Sequence, residues 1–354
     1  MKFIKKQCNV RFLTPAFLGD AEQKGAWRTP PFKALIRQWY RVRTAKAFDY
    51  NYRPLHEWEG ELFGQAQERK ASKSRILLRL SSWKAGELSS WKEKESFVEH
   101  EEVERTKKKV NPYHYLGYGP LAFQGGLRIK NPPAITHGEA NPLIMIYPVQ
   151  ISKEIEDIIQ LIHWFGTVGA RSRNGWGSFI FEVDGIKDFN EISLNNPLIK
   201  EIARPLSECL KIDWPHALGK DEKGLLIWRT KKNYSTWAEV LKELAQIKIY
   251  FRVKLKFVRN KGRMDERHIL AYPLTNHPVA GWDNKVRLAN QIRFKVAVSE
   301  KGYFGLIYHL PCCVAEEIKN KLSPDDKKWV LGKEFEVWKT VHSFLDSQSM
   351  LQRL

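Results

Sequence analysis

Residues 143–183 read LIMIYPVQISKEIEDIIQLIHWFGTVGARSRNGWGSFIFEV, and their order of elements sets the fold of the first half. Leu143 to Val149 is a short apolar run of the length of a buried strand. Ser152 opens a helix in which Ile155, Ile158, Ile159, Ile162 and Phe165 recur on one face. Gly166 ends that helix, a glycine-rich loop runs to Gly177, and Ser178 to Val183 alternates as a closing strand. Upstream, Phe3 to Leu13 reads as a strand and Thr14 to Arg28 as a loop. Thr29-Pro30-Pro31-Phe32 starts a helix that runs to about Ala45, with Phe32, Leu35, Ile36 and Trp39 inward. Ser72 to Leu80 is a further strand.

Between them, Trp83 to Pro112 carries 7 positive and 7 negative side chains and predicts a neutral, solvated insertion. Residues 111–142, rich in Gly, Pro, Tyr and Asn, read as a long loop or hairpin. The first half is thus β-α-β-insertion-β-α-β, the ferredoxin-like order. In the second half, 236–247 predict a helix and Ile249 to Val258 an alternating basic strand. Ile292–Val298 and Tyr303–Leu310 predict a hairpin. Pro324 to Leu345 predicts a terminal helix with Trp329, Phe335, Trp338 and Val341 inward. The expected class is α+β: two ferredoxin-like (RRM-type) domains with insertions, spanning 1–185 (insertion about 83–142) and 186–354.

Of the 354 residues 43% are hydrophobic and 12% aromatic, which excludes a disordered chain. No apolar run reaches the roughly 18 residues of a membrane span. Met1 to Lys6 lacks the apolar core of a signal peptide. Cysteines 8, 209, 312 and 313 have no metal-ligand spacing and suggest no disulfide framework, so a reducing cytoplasm with no metal or other cofactor is expected. The net charge is +19. Residues 1–82 hold 17 Lys/Arg against 7 Asp/Glu, residues 248–302 hold 13 against 4, and the remainder is balanced. Both basic windows interleave charge with aromatic and aliphatic residues, so they belong to folded surfaces rather than tails. A polyanion, most simply nucleic acid, suits such a surface.

Three constellations carry that charge. Lys33, Arg37 and Arg41, preceded by Arg28, share one helical face. They form either a phosphate-tracking rail or an ordinary solvated face. In the loop, Gly169, Gly175 and Gly177 allow close backbone approach, while Arg171, Ser172, Arg173 and Asn174 are donors suited to phosphate oxygens. Trp176 either stacks on a base or packs beneath the loop. No Gly-Lys-Ser/Thr closes this loop, so it is not a nucleotide-binding P-loop. Third, Arg287, Arg293 and Lys295 lie in a basic segment. Arg293 and Lys295 alternate on one strand face, where they either meet RNA or protect a sheet edge. Catalytic candidates are sparse: the ten histidines form no His-x-x-x-His pair, and only His114, His137 and the loop residue Asp20 merit attention.

Leu13-Thr14-Pro15-Ala16-Phe17-Leu18-Gly19-Asp20, followed by Arg28-Thr29-Pro30-Pro31-Phe32-Lys33 through Arg37-Gln38-Trp39-Tyr40-Arg41, resembles the N-terminal motif of the RAMP (repeat-associated mysterious protein) superfamily of CRISPR effector subunits. Gly169-Ala170-Arg171-Ser172-Arg173-Asn174-Gly175-Trp176-Gly177 resembles that superfamily's glycine-rich loop. The Pro-Pro-x-Lys-x-x-x-Arg form and Arg287 to Phe294 look most like subunit one of the type III-B (Cmr) complex. A single glycine at 19, and Tyr40 where a second Trp is common, depart from the pattern. The resemblance implies contact with guide (CRISPR) RNA and target RNA near the guide's 3′ part, neighbouring RAMP subunits, no membrane, and no catalytic residues here, since cleavage belongs to other subunits. Two alternatives remain. One is a RAMP endoribonuclease using Asp20, His114 and His137. The other is a scaffold subunit whose basic windows face acidic protein neighbours.

Overall fold

A computed structural model describes residues 2–66, 71–103, 107–257, 262–283 and 285–354. β1 (Phe3–Phe12) alternates, and Cys8, Val10 and Phe12 point into the core. Helix α1 (Thr29–Thr44) begins with proline in its first turn, where a missing N–H costs nothing, and buries Phe32, Leu35, Ile36 and Trp39 as expected. α2 (Tyr52–Phe63) and β2 (Leu77–Leu80) follow. β3 (Ala140–Pro148), α3 (Ser152–Phe165) and β4 (Phe179–Glu182) complete the first unit. Its sheet runs β2-β3-β1-β4, every pair antiparallel, with α1 packed against α3.

The second half repeats this pattern. β5 (Ile227–Thr230), α4 (Trp237–Lys254), β6 (Ile292–Ser299), β7 (Gly302–His309), α5 (Pro324–Ser347) and β8 (Leu351–Arg353) occur in that order. Their sheet runs β6-β7-β5-β8, again antiparallel throughout. The molecule is therefore a mixed α+β structure with two antiparallel four-stranded sheets. Among the described residues no helix is long and apolar enough to cross a membrane.

Four expectations are corrected. Ile249 to Lys254, read as strand, is the last part of α4; Val258 lies outside the described residues. The helix starts from a capping box, Thr236 with Glu239. It is packed on one side by β6 and β7 and on another by Pro112–Gly117 and Val98–Glu99. Ile247, Ile249 and Phe251 are therefore all buried, and burial round several sides imitates strand alternation. Next, the insertion is not simply solvated. Leu88 and Val98 are buried, and Trp91 packs on Trp176 and Trp237. Glu99 exchanges backbone-to-side-chain hydrogen bonds with Gln246 of α4 at 2.9 and 3.0 Å. Phe335, expected inward on α5, is exposed.

The fourth correction matters most. Arg293 and Lys295 are buried, not exposed. β6 has no solvent face because α4 covers one side and α3 with β4 covers the other. Lys295 Nζ enters the first half and donates to the carbonyl oxygens of Ile162, His163, Gly166 and Phe179 at 3.2, 2.6, 3.0 and 2.8 Å. Ile162 and His163 lie in the last turn of α3 and Gly166 caps it, so the helix dipole favours a cation here; the Ile162 carbonyl also accepts the Gly166 amide at 2.7 Å. Burial pushes this ammonium far below its usual range. Tyr308 Oη on β7 donates to the Phe165 carbonyl at 2.6 Å, and Trp39 stacks on Phe165. One core cluster therefore contains Phe12, Trp39 and Phe165 together with Phe304, Leu306 and Tyr308. Lys295→Met leaves these carbonyls buried without their donor. It should lower unfolding free energy by about 3 kcal/mol or more, read as a fall in the urea midpoint.

Candidate nucleic-acid interface

The glycine-rich loop spans the seam between the halves. Gly169 and Gly177 have φ of +92° and +62°, and a Cβ at Gly177 would lie 1.8 Å from the Val168 carbonyl oxygen, so that position admits only glycine. On one side the amides of Ala170 and Gly177 donate to Phe17 and Pro15. On the other, the Phe294 amide donates to Arg173 O at 3.0 Å and the Val296 amide to Ser178 Oγ at 2.9 Å. The amides of Ser172, Asn174 and Gly175 are also taken by loop carbonyls. The loop's donors toward solvent are therefore mainly side chains. Trp176 is fully buried against Phe17, Trp91 and Trp237, which removes it as a base-stacking group.

Beside the loop lies a cleft of about 680 Å³. Arg171, Ser172, Arg173 and Asn174 form one wall; Lys248 and Arg252 of α4, with Arg267 and Arg287, form the other. Among the described residues that line it, none is Asp or Glu. The cations are oriented chiefly by neutral acceptors. Arg171 Nε donates to Tyr118 O at 2.6 Å, and Arg173 Nη1 to Asn290 O at 3.1 Å. Lys248 Nζ donates to Asn174 Oδ1 at 2.7 Å, while Asn174 Nδ2 is fixed by Leu116 O at 2.8 Å. Arg267 is the exception, because it pairs with Glu102 of the insertion. Burial, then neighbouring Arg293, pushes the Arg173 guanidinium down to about 10, so it is charged at neutral pH. Lys248 is pushed down to about 7, first by burial and then by Arg252 and Arg171.

The other expected contacts lie elsewhere. Arg37 and Arg41 both donate to the carboxylate of Glu59 on α2, which has no exposed side-chain surface. Burial alone would raise that carboxyl; the hydrogen bonds from Arg41 and Arg37 outweigh it and hold it below its usual range. The anion along this stripe is thus the protein's own, which corrects the reading of a phosphate rail. Lys33 donates to Ser74 Oγ at 3.1 Å and Arg28 to Gly19 O at 2.7 Å, both away from the cleft lining. Arg293 and Lys295 are sealed in the seam and cannot touch a ligand strand. Lys248 and Arg252 form no sequence motif because their i, i+4 relation has meaning only on a helix.

The catalytic candidates have local roles. Asp20 Oδ1 accepts the amides of Glu22 and Lys24 at 2.9 Å each. His137 packs near Trp237, and burial lowers His114, which sits between Tyr118 and Phe123. Among the described residues no three His, Cys, Asp or Glu side chains are grouped to hold a metal ion.

Solved Cmr structures match the chain over most of its length. Cmr1 from Pyrococcus furiosus in its apo form matches at 13% identity and a TM-score of 0.46, over 94% of this chain and 97% of that one. A chain of the type III-B Cmr-beta bound to cognate target RNA matches at 13% identity and 0.41, over 96% and 100%. The same complex with target RNA and AMPPnP, in the presence of ssDNA, matches at 12% and 0.39, over 97% and 100%. No family model and no curated protein matches the chain.

Because Lys248 titrates near neutrality, the cleft gains a positive charge as pH falls through about 7. A bound phosphate favours the charged amine, so affinity for a phosphate-backbone oligomer should rise several-fold from pH 8 to pH 6. Lys248→Gln should flatten this rise in a titration followed by fluorescence anisotropy. A wild-type profile that is already flat contradicts the assignment.

Proposed function

We propose that this chain is a non-catalytic RNA-binding subunit of a type III, Cmr-like CRISPR effector complex, built of two ferredoxin-like units. Its cleft holds the sugar-phosphate backbone of guide or target RNA near the guide's 3′ part, in a complex with other RAMP subunits. The observation that carries the RNA reading is the lining itself. Arg171, Arg173, Lys248, Arg252 and Arg287 converge on one cleft from both halves, with no Asp or Glu among its described lining residues. Like charges gathered in this way repel, and a polyanion offsets that repulsion while releasing its counterions. The spread of cations on several elements suits a backbone track rather than a single base pocket. The RAMP-like motifs from Leu13 to Arg41 and from Gly169 to Gly177 supply the CRISPR context. The local roles of Asp20, His114 and His137 favour binding over cleavage, because each is engaged in its own turn or ring contact.

Replacing Arg171 and Arg173 together with alanine removes two phosphate contacts. Affinity for single-stranded guide-repeat RNA should fall, and the slope of log K against log salt should flatten by about 1.4. Unchanged affinity and slope would refute the cleft. Defined RNA products from wild-type protein and magnesium that vanish in Asp20→Ala would refute the non-catalytic assignment.

A further inference from the structure

Next to Arg171 the surface carries aromatic rings that the core does not use. The short helix Pro112–Gly117 sorts its aromatic residues by face. Tyr113 turns inward against Trp91 and Trp237. His114 turns outward, to a position between Tyr118, which is 65% exposed, and Phe123, which is 44% exposed. The His114 ring centroid lies 5.5 Å from that of Tyr118 and 6.2 Å from that of Phe123. Phe123 stands on the first strand of the hairpin Leu121–Phe123/Leu127–Ile129, where Leu121 is buried and anchors the strand. Single exposed aromatic residues are ordinary, but here two rings flank a histidine in one contiguous patch, at 66° and 47° to its plane.

This face is joined to the cleft. The carbonyl that orients Arg171 is that of Tyr118, and a Cβ on Gly119 would lie only 3.7 Å from Arg171 Nη2. The guanidinium therefore sits against the backbone that carries the Tyr118 ring. Arg128 and Lys130 add exposed positive charge to the same hairpin. A strand with a phosphate at Arg171 would bring its adjoining nucleotide over these rings. Every base offers a π-face to an aromatic platform, so such a site needs no sequence preference.

We propose that Tyr118 and Phe123, with His114 between them, stack an unpaired base of the RNA strand whose backbone lies in the cleft. The inference rests on the cleft reading and extends it: the cleft holds phosphates, and the platform selects single-stranded over paired RNA.

The test uses the full chain and two RNAs of equal length. One is single-stranded with 2-aminopurine at successive positions; the other is a blunt duplex. Wild-type protein should quench the 2-aminopurine at one or two positions. Tyr118→Ala and Phe123→Ala should each lose that quenching and weaken single-strand binding about tenfold. Duplex affinity and the salt slope should not change, because no charge is removed. Tyr118→Phe should behave as wild type, since stacking needs the ring and not the hydroxyl. Both alanine sites are exposed, and matching thermal melts confirm folding. Unchanged single-strand affinity and quenching in the alanine variants overturns the platform, as does an equal loss on duplex. If those variants fail while Arg171/Arg173 variants bind normally, the platform stands and the cleft reading falls. If wild-type protein binds neither RNA, both fall.

Discussion

A single ammonium group orders the rest of this molecule. Lys295 lies on β6, an edge strand of the second sheet, yet its amine is spent on carbonyls of the first unit. A lysine without an acid partner is costly to bury. Here four oxygens replace its water, and three of them belong to the last turn and C-cap of α3, where the helix dipole favours positive charge. Neighbouring residues of β6 use the same register: Phe294 and Val296 hold Arg173 and Ser178 by hydrogen bonds. One strand therefore closes a helix, aligns two sheets and sets the position of the glycine-rich loop. The cleft inherits its geometry from that alignment, since one wall comes from each half.

Much of this architecture can be read from residues alone. The helix at Ser152–Phe165 follows from its isoleucine spacing, and the start of α1 from Pro30-Pro31. The Ile292–Leu310 hairpin follows from alternation around Ser299-Glu300-Lys301-Gly302. What could not be read depends on which surfaces meet. Alternation of Ile249, Phe251 and Val253 suggests a strand only if one face is wet, and α4 is covered on more than one side. Lys295 appears to be an outward charge only if β6 is an outer surface. Glu59 lies 18 residues beyond Arg41, and no local pattern announces that it meets Arg37 and Arg41. The loop residues 171–174 lie together on the cleft, but Lys248 and Arg252 join them only once the chain around 249–254 is helical.

One set of arginines is neutralised within the protein. Arg37 and Arg41 face Glu59; Arg43 faces Asp157 and Glu201; Arg353 faces Asp221 and Asp346. These arginines are neutralised where they stand, and their work is to tie helices and strand ends together. The repulsion expected along α1 disappears once Glu59 is in place. A count of Lys and Arg along the chain cannot make this distinction, because it treats a paired guanidinium and an unpaired one alike.

In the cleft, apart from Glu102 on Arg267, the acceptors are of a different kind. Tyr118 O, Asn290 O and Asn174 Oδ1 orient Arg171, Arg173 and Lys248. A carbonyl or amide oxygen fixes the direction of a cation without cancelling its charge, whereas a carboxylate does both. Neutral anchoring leaves the charge of Arg171 and Arg173 directed at the open volume and limits the rotamer entropy lost when an anion arrives. The cost is mutual repulsion and desolvation, which is why burial and its neighbours weaken the hold of Lys248 on its proton. A fold that needed these cations only for its own stability would gain by placing carboxylates among them. Pairing to neutral oxygens suits the proposed role, in which a phosphate backbone completes the site from outside.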